Sequence, residues 1–458
     1  MRRQIVLAVV LLSSAALVIR PAAAGDAPWR IGLARVKITP DGLIRLDGYA
    51  ARDRPSEGML SDLHAKAMAF EDRAGHRAIL ITADLIAFPA AVGKAVRSAI
   101  AEKTGLRLEQ ILLNASHTHS GPVVLLGGYR RPDVPEAERQ AVLRYNRKLR
   151  GQLVDLAAAA LADLKPATLS WGTGTVDFVV NRRERTKHGL RIGINREGFA
   201  DRSVPVLRVD SRDGVLRAVV FGCACHGVTL EKDSYLISGD YAGFAQERIE
   251  ARLPGAQAMF MIGCAGSANP DRRGTADMAR AHGKALSDEV CRVLTGALKP
   301  VRSPLRTELA CAEIPLAPVP PREELKRIVK RGRGPKLYTA RRMLAALDAG
   351  KALPTHYPMP IALWQFRDDL TLVGLSGEVV GEYVPLLREA LGPDRLWIAA
   401  YCNEVFGYVV TAQILQEGGY ETRGLFHQIG FLSPQAQDTL LTTVRDLARK
   451  AGRKLPAR

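Results

Sequence analysis

ILLNASHTHSGP, residues 111–122, is the stretch on which the reading of this chain turns. Its first half is a short apolar run, of the kind that forms a strand buried on both faces of a sheet. Its second half is a polar loop that closes in a Gly-Pro turn. His117 and His119 stand two apart, so in an extended chain their side chains leave from the same face. That arrangement lets two imidazoles meet one metal ion, or lets one bind metal while the other handles a proton. The plain alternative is a pair of loop histidines bonded to backbone carbonyls.

Working outward, the same kind of apolar, β-branched run recurs at 78–84 (AILITAD), 204–210 (VPVLRVD), 216–222 (LRAVVFG), 258–263 (AMFMIG) and 370–375 (LTLVGL). Longer amphipathic stretches lie between them, and we expect helices at 90–103, 136–164, 239–253, 276–294 and 434–450, the last capped by Ser433. This alternation predicts an α/β fold, a layered mixed β-sheet core flanked by helices. Composition shifts once, between Leu316 and Met359, where APVPPREEL, a basic run and LPTHYPMP follow one another. The expectation there is a helical insertion around 316–359 within one catalytic unit, 25–458, with two domains as the alternative on length alone.

The first residues read as a signal peptide. Arg2 and Arg3 precede an apolar stretch from Ile5 to Ile19, and Ala22 and Ala24 form the small-x-small pattern before a cut at Gly25. Residues 1–24 are therefore expected to be removed and the protein exported, periplasmic or secreted; an uncleaved anchor is the alternative. The formal charge of +18 would fall to +15 with Arg2, Arg3 and Arg20 gone. Such an excess favours peripheral contact with anionic membrane or wall surfaces. The densest basic stretch, Lys326 to Arg342, has no interleaved aromatics and no nucleic-acid motif, so nucleic acid is not expected as a partner. We read it as a solvated helix pair, with an anionic-surface contact as the other option. The six cysteines give neither a CxxC pair nor a dense disulfide framework; Cys264 and Cys402 read as small buried fillers.

Chemistry concentrates at the ends of the expected strands. His226 follows LRAVVFG in FGCACHGVTL. Asp240, in LISGD, reads as a helix cap or as a partner that fixes an imidazole. MIGCAGSANP, from Met261 to Pro270, offers exposed backbone N–H groups to an oxyanion. GLSGE places Glu378 just after LTLVGL, and its glycines are wrongly spaced around Ser376 for a nucleophile elbow. YCNEVFGYVVT carries Tyr408. HExxH and the P-loop signature are both absent. Two histidines and a carboxylate from different strand ends make a plausible open catalytic zinc site.

Taken together, HTHSGP, CHGVTL…LISGD, GCAGSANP, GLSGE and NEVFGYVVT…GGYE resemble the neutral/alkaline non-lysosomal ceramidase family, from IGLARVKITPDG near Ile31 to Gly424. The resemblance implies Zn2+ held by His117, His226, Glu378 and Tyr408. It implies that His119 contacts the scissile group or shuttles a proton, and that Tyr420 is a further site tyrosine. Arg182, after Asn181, would help bind the polar head of the substrate. One departure concerns the GDVSPN serine of the family, nucleophilic or water-orienting, which falls on Asn269, with Ser267 at its aspartate. Asparagine is no activated nucleophile, but it can donate a hydrogen bond to an oxyanion. The other is length: the family's C-terminal immunoglobulin-like domain has no counterpart in this sequence. The expected function is thus a zinc-dependent hydrolase of a small-molecule or lipid amide, or an ester, with metal-activated water as nucleophile. The alternative is a catalytically silent, metal-stabilised binding protein of the cell envelope; a purely structural α/β protein is a third reading.

Overall fold

Apolar runs become strands wherever both faces can be covered, and amphipathic stretches become the covering helices. The computed structural model describes residues 29–125, 127, 133–331, 335–426 and 429–456, so the leader-like segment 1–24 lies outside the described residues. The first half of the chain contributes β1 (Trp29–Lys37), β2 (His64–Asp72), β3 (Arg77–Ala83), α1 (Ala90–Thr104), β4 (Ile111–Ala115) and α2 (Glu136–Ala162). It continues with β5 (Lys165–Thr175), β6 (Val179–Thr186), β7 (Gly189–Asn195), β8 (Ser203–Ser211), β9 (Leu216–Cys223), α3 (Asp240–Arg252), β10 (Gln257–Ile262), β11 (Ala268–Pro270) and α4 (Ala276–Thr295). The second half holds β12 (Leu305–Pro315), α5 (Arg322–Arg331), α6 (Pro335–Asp348), β13 (His356–Phe366), β14 (Leu370–Leu375), β15 (Glu378–Val379), α7 (Tyr383–Leu391), β16 (Leu396–Ala399), β17 (Tyr408–Val409) and α8 (Ala436–Lys450).

The large sheet runs β10-β9-β8-β5-β1-β2-β3-β4, and a second sheet runs β12-β13-β14-β16. Both are mixed: β3–β4, β9–β10 and β14–β16 are parallel pairs, and their neighbours are antiparallel. One face of the large sheet packs on the second sheet through Met68, Phe70, Leu80, Leu112, Trp364 and Trp397. Its other face is covered by α1 and α2 at one end and by α3 and α4 at the other. Helix α8 closes the outer face of the second sheet. The expected α/β layering is therefore what the chain adopts. Among the described residues no helix is long and apolar enough to cross a membrane.

The six expected strands and five expected helices all form, with ends shifted by one or two residues. The last helix begins at Ala436, because Ser433 and Pro434 turn before it; the Ser433 hydroxyl accepts only a long bond, 3.4 Å, from the Gln435 amide. The helical insertion is narrower than 316–359. Its helices span 322–331 and 335–348, while 356–359 already belongs to β13. Because Pro315 pairs with His356, α5 and α6 form the loop of one long hairpin, β12–β13. All six cysteines are free, and Cys264 and Cys402 are buried fillers as expected.

Asn114, fully buried, ties the layers together at the end of β4. Its Oδ1 accepts from the Ile262 amide at 3.0 Å, and its Nδ2 donates to the Ala400 carbonyl at 2.8 Å. One side chain thereby joins the C-terminal ends of β4, β10 and β16, so the loops that follow those strands emerge side by side.

Candidate functional site

Those loops carry the site. His117 lies two residues past β4, His226 three past β9 and Glu378 three past β14. Parallel pairing makes neighbouring strands end on the same side, so each loop arrives with its chemistry facing a common centre. The loops are also tied to one another. The His119 amide donates to Gly227 O at 2.9 Å, and the Gly266 amide donates to Val379 O at 2.8 Å.

At the centre, the Nε2 atoms of His117 and His226 lie 3.3 and 3.1 Å from Glu378 Oε2. His117 Nδ1 donates to Ile86 O and His226 Nδ1 to Ala265 O, each at 2.7 Å. Those two bonds spend the ring protons on the backbone and leave both Nε2 lone pairs aimed inward. His119 completes the group, its Nε2 3.2 Å from that of His117. One ligand atom from each of the three histidines falls within 4.8 Å of the others. The result is a buried gathering of imidazole nitrogens around one carboxylate, an arrangement that could hold a cation. The donor set, imidazole nitrogens beside one carboxylate, suits a borderline ion such as zinc.

Electrostatics agree with ligands in the deprotonated form. Burial, then the Arg182 guanidinium, pulls the His226 imidazole down to about 3. Burial, then the other two imidazoles, holds His119 well below its ordinary value. For Glu378 burial works against ionisation, but the facing His117 and His226 win and keep it well below the usual carboxylate range.

Tyr408 stands beside Glu378 because β15 and β17 pair in parallel with those two residues in register. Its ring meets that of Tyr420 edge-on at 5.7 Å, and the Arg182 guanidinium sits 5.3 Å from its centroid. Arg182 Nη1 donates to His226 Nε2 at 3.0 Å, and its Nε donates to Glu421 at 2.9 Å. Burial opposes the Arg182 charge, but Tyr408 and Glu421 keep it firmly protonated. Asn269, on β11 next to β6, has a buried Oδ1 with no hydrogen-bond partner. Contacts thus link seven of the eight sequence-predicted residues, His117, His119, Arg182, His226, Glu378, Tyr408 and Tyr420, while Asn269 is placed only on the neighbouring strand β11.

Several others belong to the same place and were not singled out from the sequence. Tyr401 puts its hydroxyl 3.4 Å from Glu378 Oε2 and its ring 4.4 Å from that of His117. Glu421 bridges two buried arginines, Arg182 and, at 2.6 Å, Arg183. Both lay inside quoted motifs, YCNE and GGYE, so motif membership was the available signal. His117, Tyr401 and Asn403 all take left-handed backbone, with φ of 60°, 55° and 63°. Such strain in non-glycine residues gathers at functional sites. Asp240 is neither the cap nor the imidazole partner expected: Gly239 is the N-cap of α3 with no side-chain capping bond, and the Asp240 carboxylate accepts from the amides of Leu230 and Tyr241, with no bond to an imidazole among the described residues. His117 and His226 take their orientation from the carbonyls of Ile86 and Ala265 instead.

His119 is held differently from its two neighbours. Its Nδ1 is buried without a partner, and the loop 47–52 braces the ring. Tyr49 meets it edge-on at 5.1 Å, and Arg52 donates to its carbonyl at 2.5 Å. Gly48, at φ 97°, lies so close that an added Cβ would stand 2.5 Å from His119 Nδ1. Gly48→Ala is expected to lower kcat/KM by about 10- to 100-fold, the cost of misplacing a reacting group by roughly 1 Å. Metal content should stay unchanged. Parallel kinetics and elemental analysis check this, and wild-type kcat/KM would show that the loop does not brace the ring.

Comparison with known proteins places the chain among relatives. Residues 29–292 match the family described as neutral/alkaline non-lysosomal ceramidase, N-terminal. The neutral ceramidase of Pseudomonas aeruginosa is 27% identical over 263 residues, covering 55% of this chain and 38% of that protein. The neutral ceramidase of Mycobacterium tuberculosis is 26% identical over 228 residues, 46% of this chain and 33% of that one. The matches thus span about a third of the length of these curated relatives. In fold, the crystal structure of the Pseudomonas aeruginosa neutral ceramidase superposes with a TM-score of 0.70 at 21% identity, covering 95% of this chain and 76% of that chain. Glu378, Tyr408 and Tyr420 lie beyond the segment that matches the family.

Proposed function

Because this chain belongs to the neutral/alkaline non-lysosomal ceramidase family, we propose that it is a zinc-dependent hydrolase that cleaves the amide bond of an N-acylated amphiphile of the ceramide kind. The observation that carries this reading is the convergence of His117 Nε2, His226 Nε2 and Glu378 Oε2 while both Nδ1 atoms are turned to backbone carbonyls. These three residues, with Tyr408 beside them, would hold the ion. When bound, zinc supplies Lewis-acid polarisation of the carbonyl and makes a water acidic near neutral pH.

The rest of the chemistry falls to side chains. Neutral His119 accepts a proton from the attacking water and returns it to the departing amine nitrogen. Arg182, kept charged by Glu421, binds polar oxygens of the substrate, with Tyr420 beside it. Asn269 donates from its amide to the oxyanion, and without a serine at that position no acyl-enzyme forms. The rings of Tyr49, Tyr401, Tyr408, Tyr420 and Phe426 around this centre suit a substrate with an apolar body and a polar head. The leader-like segment 1–24 supports action outside the cytoplasm.

The test is elemental analysis of the purified protein beside fatty-acid release from short-chain ceramide and simpler N-acyl amides, with and without chelator. About one zinc per chain and chelator-sensitive release are expected. Zinc retained with no turnover of any amide would point instead to a silent, metal-stabilised binding protein. Turnover by metal-free protein would remove the mechanism.

A further inference from the structure

We propose that the outward face of α5 is a docking surface for an anionic lipid bilayer. This rests on the reading that the substrate is an amphiphile, and it names the surface from which that substrate is taken.

Helix α5 is divided cleanly. Leu325, Ile328 and Val329 face inward and form a small cluster with Ala340 and Met343 of α6. On the opposite side Lys326, Arg327, Lys330 and Arg331 are all exposed. Lys326 pairs with Glu323 in the first turn, but among the described residues Arg327, Lys330 and Arg331 have no ion-pair partner. Like charges at spacings of three and four residues repel by a few tenths of a kcal/mol per pair, which a merely solvated helix relieves with interleaved acids. Helix α5 places both of its acids in the first turn and none among these three bases. On the same helix pair Tyr338 of α6 is 57% exposed, and Val319, just before α5, is 41% exposed. Bases with a few apolar or aromatic groups at the surface match the headgroup region of an anionic bilayer.

The helix pair also touches the site. Arg342 of α6 donates to Leu425 O at 3.1 Å and to Phe426 O at 2.6 Å, and the Thr339 hydroxyl donates to Leu425 O at 3.2 Å. Phe426 in turn meets Tyr408 edge-on at 5.6 Å. The helix pair is thereby joined through Leu425 and Phe426 to the segment beside Tyr408, and the proposal needs no movement of the fold.

The experiment is co-sedimentation of the full chain with phosphatidylglycerol–phosphatidylcholine vesicles, pure phosphatidylcholine vesicles and double-stranded DNA. It compares wild type, a triple variant (Arg327→Gln, Lys330→Gln, Arg331→Gln) and a control that neutralises exposed bases elsewhere (Arg144→Gln, Arg147→Gln, Arg212→Gln). Wild type should partition onto the anionic vesicles at least about tenfold better than onto neutral ones, falling with added salt. The triple variant should lose about tenfold or more of that preference and the control less than about twofold, at unchanged rates on a soluble short-chain amide. Equal binding by the triple variant, no preference for anionic vesicles, or tighter binding to DNA through the same three residues would overturn the proposal. Vesicle binding as expected without any amide turnover would uphold this surface while removing the catalytic reading.

Discussion

His117→Ala is expected to yield a folded protein that retains no zinc and whose kcat/KM falls by about a thousandfold or more. The imidazole removed is central to the acceptor group: its Nε2 faces Glu378 at 3.3 Å and His119 at 3.2 Å. Its ring also packs on His226 and Tyr401 at centroid distances of 4.4 Å. Losing one preorganised electrostatic group in an active site costs about 10²–10³-fold, and losing a metal ligand removes the ion's contribution as well. The backbone tolerates the change, because the His117 and Ser116 amides stay bonded to Leu85 O and Ala83 O. Elemental analysis, kinetics on a short-chain amide and a circular-dichroism melt check the three parts. Zinc retained at wild-type level, or kcat/KM within tenfold of wild type, would refute the ligand set.

Glu421→Ala should be the most destabilising single change around the site, and it should also depress activity. Glu421 is 3% exposed and bridges Arg182 at 2.9 Å and Arg183 at 2.6 Å, themselves 3% and 5% exposed. Burial works against the Glu421 charge, but the two guanidinium groups hold its carboxyl below the usual range. Removing the shared partner leaves two buried cations; Arg183 keeps Glu417 at 3.0 Å, whereas Arg182 is left facing His226, Tyr408 and Tyr420. Breaking a buried pair in this way costs about 3–5 kcal/mol. Denaturant unfolding should show that loss, and KM should rise more than kcat falls, because Arg182 binds substrate in the proposed mechanism. Glu421→Gln, which keeps the hydrogen-bond geometry, should recover part of the stability. An alanine variant as stable as wild type would mean that the network is not coupled.

The sequence by itself determined the α/β class and the identity of the central groups. Runs such as ILLNAS and LTLVGL are apolar enough to read as covered strands, and a polar residue with chemistry follows each within three positions, as at His117 and Glu378. Strands such as Trp29–Lys37 and His356–Phe366 were not legible, because their alternating charges and prolines resemble loops until pairing with a neighbour supplies the hydrogen bonds. The extent of the insertion was equally hidden, since only the pairing of Pro315 with His356 shows it to be a hairpin loop.

Tertiary structure alone decided how the site is held. The Nδ1 bonds to Ile86 and Ala265, the Asn114 ties to Ile262 and Ala400, and the close approach of Gly48 to His119 involve backbone atoms distant in sequence, which no local pattern encodes. Arg182 and Glu421 are 239 residues apart, and neither announces the other. A side chain's chemistry is a property of its residue type, readable one letter at a time. Its protonation, orientation and partners depend on which strands end together, and that is settled only when the sheets pair.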